Sequence, residues 1–321
     1  MQTEPACAIG IHPAGRASAM LLLAAFFWGS GNLANKTVLQ DLDPFTVVVL
    51  RNLVAVVAIA PMLIREASRG VLPAWFKSAL PVGVVFGLAI ICQQWGYQTA
   101  TVTNASFLVN ATCVLTPILA WLLTGERPVP STAFAAVVML LGVLSMSGVL
   151  LKWQPMNAGD ILCLVSAFFY AIWMILLVRH VTRYCLPVLT TFVQCLCTAC
   201  IAVPFSLVAE PELERNFMGA LPELFYLGVF STALAFGLAS AAQRCLSASV
   251  GAILMSAESL FGAAGGILVL GERPDFGVIL GASLMMAAIL LVCASVRSPP
   301  PAASQPILEP RKSEDVHDNE F

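Results

Sequence analysis

Residues 125–128 read Gly-Glu-Arg-Pro, and residues 271–274 repeat the same four letters at an offset of 146 residues. Each quartet directly follows a long apolar stretch, so both mark the end of a hydrophobic segment at an equivalent place in the chain. Three other pairs share nearly this offset, namely Phe26-Phe27-Trp28-Gly29 with Phe168-Phe169-Tyr170-Ala171, Pro44 with Pro187, and Gln98 with Gln243. The chain therefore consists of two similar halves.

Apolar stretches long enough to cross a membrane fill both halves, because a spanning helix needs about 20 mostly apolar residues. Polar and helix-breaking residues separate these stretches, as at Asp43-Pro44 and at Asn157-Ala158-Gly159-Asp160. The predicted spans are 17–37, 44–64, 79–99, 103–124, 131–151, 158–179, 186–208, 219–241, 247–270 and 276–296. The sequence thus predicts an all-α membrane protein with about ten transmembrane helices.

The composition supports this fold class and excludes others. Of the 321 residues, 59% are hydrophobic and only 11% are charged, and the mean hydropathy is +0.88. A soluble domain carries about 25% charged residues, so a soluble chain this apolar would fail to cover its surface. The net charge of −2 gives no reason to expect a nucleic-acid partner, so the expected partners are the lipid bilayer and a small molecule.

No motif predicts a metal or a cofactor. Cys195, Cys197 and Cys200 form a C-x-C-x-x-C run, but helix positions two apart point in different directions and no His accompanies them. The sequence has no phosphate loop, no dinucleotide fingerprint after a strand and no H-E-x-x-H. We therefore expect neither an enzyme nor ATP-driven transport from this chain alone.

Positive charge predicts the orientation, because cytoplasmic loops carry an excess of Lys and Arg. Eleven of the 16 Lys and Arg residues fall on the side that holds both termini, four fall on the other side, and Arg51 lies within a span. Both termini are therefore expected in the cytoplasm of a multi-pass protein of the cell (plasma or inner) membrane. The predicted divisions are an exposed lead 1–16, five-helix repeats 17–151 and 158–297, and a disordered tail 298–321.

The repeat also carries information about function. Five spans are an odd number, so the second half enters the membrane from the opposite side, and the two halves form an inverted repeat. Secondary transporters commonly use this arrangement, with the cargo site near the midplane between the repeats. A non-transporting sensor or scaffold derived from a transporter stays an alternative, and a membrane-embedded enzyme is a more distant one.

Several motifs follow one another in a characteristic order, namely Trp28-Gly29-Ser30 with Asn32 and Lys36, Pro44 with Arg51, Thr116-Pro117, both Gly-Glu-Arg-Pro quartets, Gly159-Asp160, and Glu258 with Phe261. In this order they resemble the EamA-type transporters of the drug/metabolite transporter superfamily over residues 17–297. The resemblance implies two inverted five-helix repeats around a cavity for small metabolites, which many members export. The family often has Pro after the Glu of span nine, whereas Ser259 follows Glu258 here, so the sequence leaves a kink there open.

Glu258 and Arg51 are the ionisable residues that lie clearly inside a predicted span. A charged group near the membrane centre costs at least about 2.5 kcal/mol, so such residues are functional candidates. Glu258 is expected to bind a cargo amine or to carry a proton, the alternative being a structural carboxyl. Arg51 is expected to hold a cargo carboxylate, or to pair with Glu258 or with a carbonyl group.

Other polar and aromatic residues complete the predicted cargo site. Trp28 and Asn32 share a helix face, and the alternative is a Trp28 that faces lipid. Amide side chains are unexpected in lipid and should face inward. The further candidates are Gln93, Gln94, Tyr170 and Trp173. The expected cargo is a small amphipathic metabolite such as an amino acid, moved by alternating access with energy from its own gradient or from protons.

Three residues are predicted to have structural roles. Pro117 is a proline inside the fourth span, and Glu126 and Glu272 are expected to cap or latch equivalent turns. A G-x-x-x-G pattern at Gly277 and Gly281 allows close helix packing. This pattern serves either internal packing or a dimer face, so both a monomer and a homodimer stay open.

Overall fold

A computed structural model describes residues 13–67, 73–100, 108–125, 127–147, 156–208, 217–271 and 273–297. Within these ranges the chain is almost entirely helical and contains no strand. Among the described residues, eight helices are long and apolar enough to cross a membrane, and two shorter apolar helices, Leu108–Thr124 and Pro130–Met146, join them. The predicted all-α membrane fold is confirmed.

The helices follow the predicted spans in order. In the first half they are α1 (Pro13–Val38), α2 (Pro44–Ala67), α3 (Pro73–Thr99), α4 (Leu108–Thr124, interrupted at Ala111) and α5 (Pro130–Ser147). In the second half they are α6 (Ala158–Tyr184), α7 (Pro187–Val208), α8 (Leu221–Ala242), α9 (Ala248–Met255 and Ala257–Leu270) and α10 (Phe276–Arg297). Because α1 begins at Pro13, the last residues of the predicted lead are helical, while residues 1–12 and the predicted tail 298–321 lie outside the described residues.

The two halves interlock through pairs of equivalent helices. In the first half α3 packs against α6 and α7, and in the second half its counterpart α8 packs against α1 and α2. The helices α2 and α7, α4 and α9, and α5 and α10 pack against their own counterparts. Exchanging the halves leaves these contacts unchanged, which is the arrangement that an inverted repeat requires.

The G-x-x-x-G pattern on α10 is used inside the chain. A Cβ atom on Gly281 would lie 2.5 Å from the carbonyl oxygen of Gly142 on α5, and one on Gly277 would lie 2.8 Å from that of Ser145. Such approaches leave no room for a side chain, so the two backbones touch. Of the two uses that the sequence allows for this pattern, the structure shows internal packing.

Helices α4 and α9 are interrupted at equivalent positions of the repeat, near the start of the described part of α4 and near the middle of α9. The interruptions lie at Ala111 and Ser256, which are separated by nearly the repeat offset, and their ψ angles are −17° and −14°. An ideal α-helix has ψ near −42°, so both turns are locally tightened. The Ser256 hydroxyl donates to the carbonyl oxygen of Ala252 at 3.0 Å, a bond that commonly bends helices. Helix α9 is thus interrupted without a proline. The interruption is at Ser256, before Glu258 and Ser259.

Glu66 fastens the end of α2 to the start of α7. Its carboxylate accepts hydrogen bonds from the backbone N–H groups of Leu189 at 2.9 Å and Val188 at 3.3 Å, and the side chain is 9% exposed. The first N–H groups of a helix have no partner within the helix and favour negative charge. This contact therefore joins the two halves at one end of the bundle.

Glu66→Ala should lower the free energy of unfolding by about 1–2 kcal/mol, because two buried N–H groups of α7 lose their acceptor. Thermal unfolding of the purified protein in detergent measures the change. Asp275→Ala is the matched control, since Asp275 caps the first turn of its own helix at an exposed site. A melting temperature for Glu66→Ala no lower than that of the control would show that the contact between α2 and α7 contributes little.

Candidate functional site

One cavity of about 140 Å³ lies at mid-depth between helices of both halves. Seven helices contribute to its walls, namely α1, α2, α3, α4, α6, α8 and α9. All eight residues predicted from the sequence to bind cargo line it, namely Trp28, Asn32, Arg51, Gln93, Gln94, Tyr170, Trp173 and Glu258. The structure thus brings the whole predicted set together, and its role in binding stays a prediction.

The cavity is open at one end and closed at the other. Asn32 and Tyr97, near the ends of α1 and α3, are exposed, and Tyr97 keeps 41% of its accessible surface. Trp173 and Phe236, deep in α6 and α8, are 1% and 7% exposed. Access is therefore from the end of the bundle where α1 and α3 finish.

Arg51 is the cationic residue of the cavity wall. It lies on the second turn of α2 and is half-buried, and its Nε atom is buried without a hydrogen-bond partner. No hydrogen bond or ion pair joins Arg51 to another described residue, so the predicted pairing with Glu258 or with a carbonyl is absent from the described part of the chain. A guanidinium group at this depth without a hydrogen-bonded partner among the described residues is available to an anionic ligand.

Glu258 reaches the same cavity from the second part of α9. Its Oε1 atom accepts a hydrogen bond of 3.0 Å from the side-chain amide of Asn32 on α1. The two helices approach closely because α1 has Gly29 at the contact, where a Cβ atom would lie 2.6 Å from the carbonyl oxygen of Glu258. The bond crosses between the halves, so any relative movement of α1 and α9 changes the surroundings of this carboxyl group.

A chain of hydrogen bonds crosses the wall between α6 and α3. The Tyr170 hydroxyl donates to Oε1 of Gln93 at 2.6 Å, and Nε2 of Gln93 donates to the Tyr97 hydroxyl at 2.7 Å. Tyr97 is thus an acceptor in this chain, and no described residue accepts its own O–H, which suits donation to a ligand. The Nε2 atom of Gln94 is buried and has no hydrogen-bond partner among the residues that the structure describes. These groups make the α3 wall rich in donors.

Aromatic rings close the deep end. The Phe236 ring centroid lies 4.8 Å from that of Trp28, 4.7 Å from that of Phe86 and 6.1 Å from that of Trp173. The Trp173 indole N–H donates to Gln194 at 2.6 Å, which fixes this ring. Trp28 is 8% exposed, so the alternative in which it faces lipid is wrong.

About half of the residues in the cavity wall are not predicted from the sequence. Tyr97 is near the end of a span, where tyrosine is common at the membrane interface, so it gave no distinct signal. The apolar members have no signature within an apolar helix. The missed residues include Ile90, Asn110, Thr112, Met174, Ser231, Phe236, Ala252, Met255 and Ser256.

The residues with predicted structural roles lie away from the cavity or outside the described residues. Pro117 is buried within α4. Glu126 and Glu272 lie outside the described residues, but the glycine before each of them is described. Gly125 and Gly271 end α4 and α9 with φ angles of 75° and 68°, a left-handed conformation that glycine adopts at little cost. The glycine of each Gly-Glu-Arg-Pro quartet thus caps the C-terminus of the preceding helix.

Comparison with known proteins agrees with this architecture. The EamA-like transporter family matches the chain twice, over residues 15–148 and 157–294. Two proteins of Archaeoglobus fulgidus, each described as an uncharacterized transporter, are similar in sequence. One is 27% identical over 277 residues, which cover 86% of this chain and 85% of the relative. The other is 25% identical over 291 residues, which cover 86% and 96%.

A crystal structure of another protein shares the fold. It superposes with a TM-score of 0.72 at 17% sequence identity and covers 88% of this chain and 98% of its own. Together the two family matches span nearly all of the described helices. The chain therefore belongs to the EamA-like transporter family.

Proposed function

We propose that this protein is a secondary transporter of small amphipathic metabolites, with amino-acid-like cargo, that works by alternating access. The observation that supports this most directly is the presence of one cationic and one acidic side chain, Arg51 and Glu258, in the same cavity. Both line one mid-depth cavity whose walls come from both halves of an inverted repeat. Cargo sites of many secondary transporters occupy such a position.

The chemistry of the walls favours a zwitterion. Arg51 has no partner among the described residues and offers a planar set of donors that matches a carboxylate. Glu258 offers an acceptor for an ammonium group, and its hydrogen bond to Asn32 orients it toward the cavity. A cargo with both charges compensates Arg51 and Glu258 together, which lowers the cost of charge at membrane depth.

Glu258 also suits proton coupling. One carboxyl group accepts either a proton or the cargo ammonium group, and binding of one excludes the other. A proton gradient then favours cargo release on the side with the lower pH. Without proton binding at Glu258, the concentration gradient of the cargo alone drives transport.

The proposed orientation places both termini in the cytoplasm of the cell membrane, from the excess of Lys and Arg on that side. The cavity in the described conformation then faces the outside. A single chain is the proposed transport unit, because both halves that line the cavity belong to one chain.

Ligand-dependent thermal stability in detergent tests the cargo class. Purified protein is heated with L-amino acids, nucleobases or sugar phosphates, each at millimolar concentration. A ligand present at 100 times its dissociation constant stabilises the folded state by about 2.7 kcal/mol, so binding raises the melting temperature. We expect stabilisation by amino acids. Stabilisation by nucleobases or sugar phosphates alone would contradict the zwitterion site.

A further inference from the structure

The cavity changes in chemistry from its open end to its closed end. Asn32, Gln93 and Tyr97 lie within about two turns of the ends of α1 and α3, and they are polar. Arg51 lies on the second turn of α2, at the same end of the bundle. A bound amphipathic molecule therefore has its charged end toward the opening.

The walls at the closed end are mostly apolar. Met174, Ala252 and Met255 lie far from the open end along α6 and α9, and each lines the cavity. Phe236, fifteen residues after the start of α8, lies at the same depth. The apolar part of a bound molecule thus points toward Phe236.

Phe236 occupies the centre of the closed end. Its ring touches Trp28 on α1, Phe86 on α3 and Trp173 on α6, at the centroid distances given above. Phe86 is 1% exposed and does not line the cavity, so Phe236 stands between the cavity and the interior of the bundle. Removing this ring lengthens the cavity in the direction in which the apolar end of the cargo points.

A π-helical segment in α8 precedes this ring and sets its direction. The segment covers Leu227–Leu234, and the Thr232 hydroxyl donates to the carbonyl oxygen of Leu227 at 2.7 Å within it. Each residue inserted into an α-helix turns the following residues by about 100°, so the segment determines the face on which Phe236 lies. In the first half, α3 continues as an α-helix, and Ile91, which corresponds to Phe236 at an offset of 145, does not line the cavity.

We propose that Phe236 is a specificity-determining residue that limits the length of the cargo side chain. Its ring is the stop against which the apolar end of the cargo rests while Arg51 and Glu258 hold the charged end. The ligand class is α-amino acids with apolar side chains of limited length. The inference rests on the proposed function, because it assumes a zwitterion bound at Arg51 and Glu258.

A homologous series of amino acids tests the stop. Dissociation constants are measured by calorimetry in detergent for glycine, alanine, 2-aminobutyrate, norvaline, norleucine and 2-aminooctanoate. Each buried methylene strengthens binding by about fourfold until the chain meets the stop. In the wild type we expect affinity to rise along the series, pass through a maximum and then fall.

Substitutions at the closed end should move this maximum in opposite directions. Phe236→Ala should shift it to a longer side chain and improve binding of 2-aminooctanoate by at least tenfold. Phe236→Leu should shift it less, and Ala252→Val, which narrows the same end, should shift it to a shorter side chain. Phe168→Ala is the matched control, because this ring lies on the exposed face of α6 outside the cavity, and the maximum should not move.

The outcomes separate this inference from the proposed function. If the wild type binds the series but Phe236→Leu and Ala252→Val leave the maximum unchanged, Phe236 is not the stop and the zwitterion site stands. If the wild type binds no member of the series, the zwitterion site itself is wrong, and the inference fails with it. Because the test compares positions of a maximum, a general loss of stability in Phe236→Ala does not imitate the expected shift.

Discussion

Arg51→Met should weaken binding of a carboxylate-bearing cargo by at least about 100-fold without lowering the melting temperature of the empty protein. A bidentate charge-assisted pair contributes about 3 kcal/mol, which corresponds to the stated factor. Arg51 has no hydrogen bond or ion pair to another described residue, so its removal breaks no such bond within the described part of the chain. It also removes a charge whose placement at membrane depth costs at least about 2.5 kcal/mol.

Calorimetry with the best-bound amino acid and thermal unfolding without ligand measure the two effects. Arg183→Met is the matched control, because Arg183 lies exposed at the end of α6 over the ring of Tyr184. Arg51→Lys keeps the charge but loses the planar set of hydrogen-bond donors. We expect its affinity for the cargo to lie between those of the wild type and Arg51→Met. A variant Arg51→Met that melts at a clearly lower temperature and binds cargo normally would show that Arg51 is a structural residue.

Glu258→Gln should abolish the pH dependence of cargo binding and reduce accumulation driven by a proton gradient at least tenfold. The amide oxygen of glutamine still accepts the hydrogen bond from Asn32, so the contact between α1 and α9 is kept. The variant carries neither the charge that holds an ammonium group nor a proton that is exchanged. At neutral pH the variant should therefore bind cargo more weakly than the wild type does. Its affinity should not change with pH.

Proteoliposomes with and without an imposed pH gradient measure this effect, together with binding between pH 5 and pH 8. Glu223→Gln is the control, because this carboxyl group lies in the first turn of α8 and does not line the cavity. The pH dependence of cargo binding by Glu223→Gln should match that of the wild type. A Glu258→Gln variant with wild-type flux and an unchanged pH dependence would remove Glu258 from the coupling mechanism.

The sequence predicts the helices well because lipid leaves the chain few alternatives. Backbone polar groups inside a bilayer must be satisfied within the segment, so an apolar stretch of sufficient length is a helix. Irregularities inside the helices cannot be predicted in this way. The breaks at Ala111 and Ser256 contain no proline, and the π-helical segment at Leu227–Leu234 has no composition that distinguishes it from an α-helix.

The polar part of the cavity was predictable for a related reason. A polar side chain in a span is costly in lipid and turns inward, so residues as distant as Asn32 and Glu258 are expected to meet. The apolar part was not predictable, because Phe236 and Met174 differ in no local feature from residues that face lipid. Their position depends on the packing of α6 and α8, which only the three-dimensional structure shows.

Counterflow in proteoliposomes tests the central claim most directly. Vesicles containing the purified protein are loaded with millimolar unlabelled amino acid and diluted into a trace of the same labelled amino acid, with Arg51→Met and empty vesicles in parallel. The account predicts transient accumulation of label in wild-type vesicles above the level of both comparisons. Binding of the amino acid in detergent without any accumulation would contradict transport and would favour a sensor that keeps the fold and the cavity of a transporter.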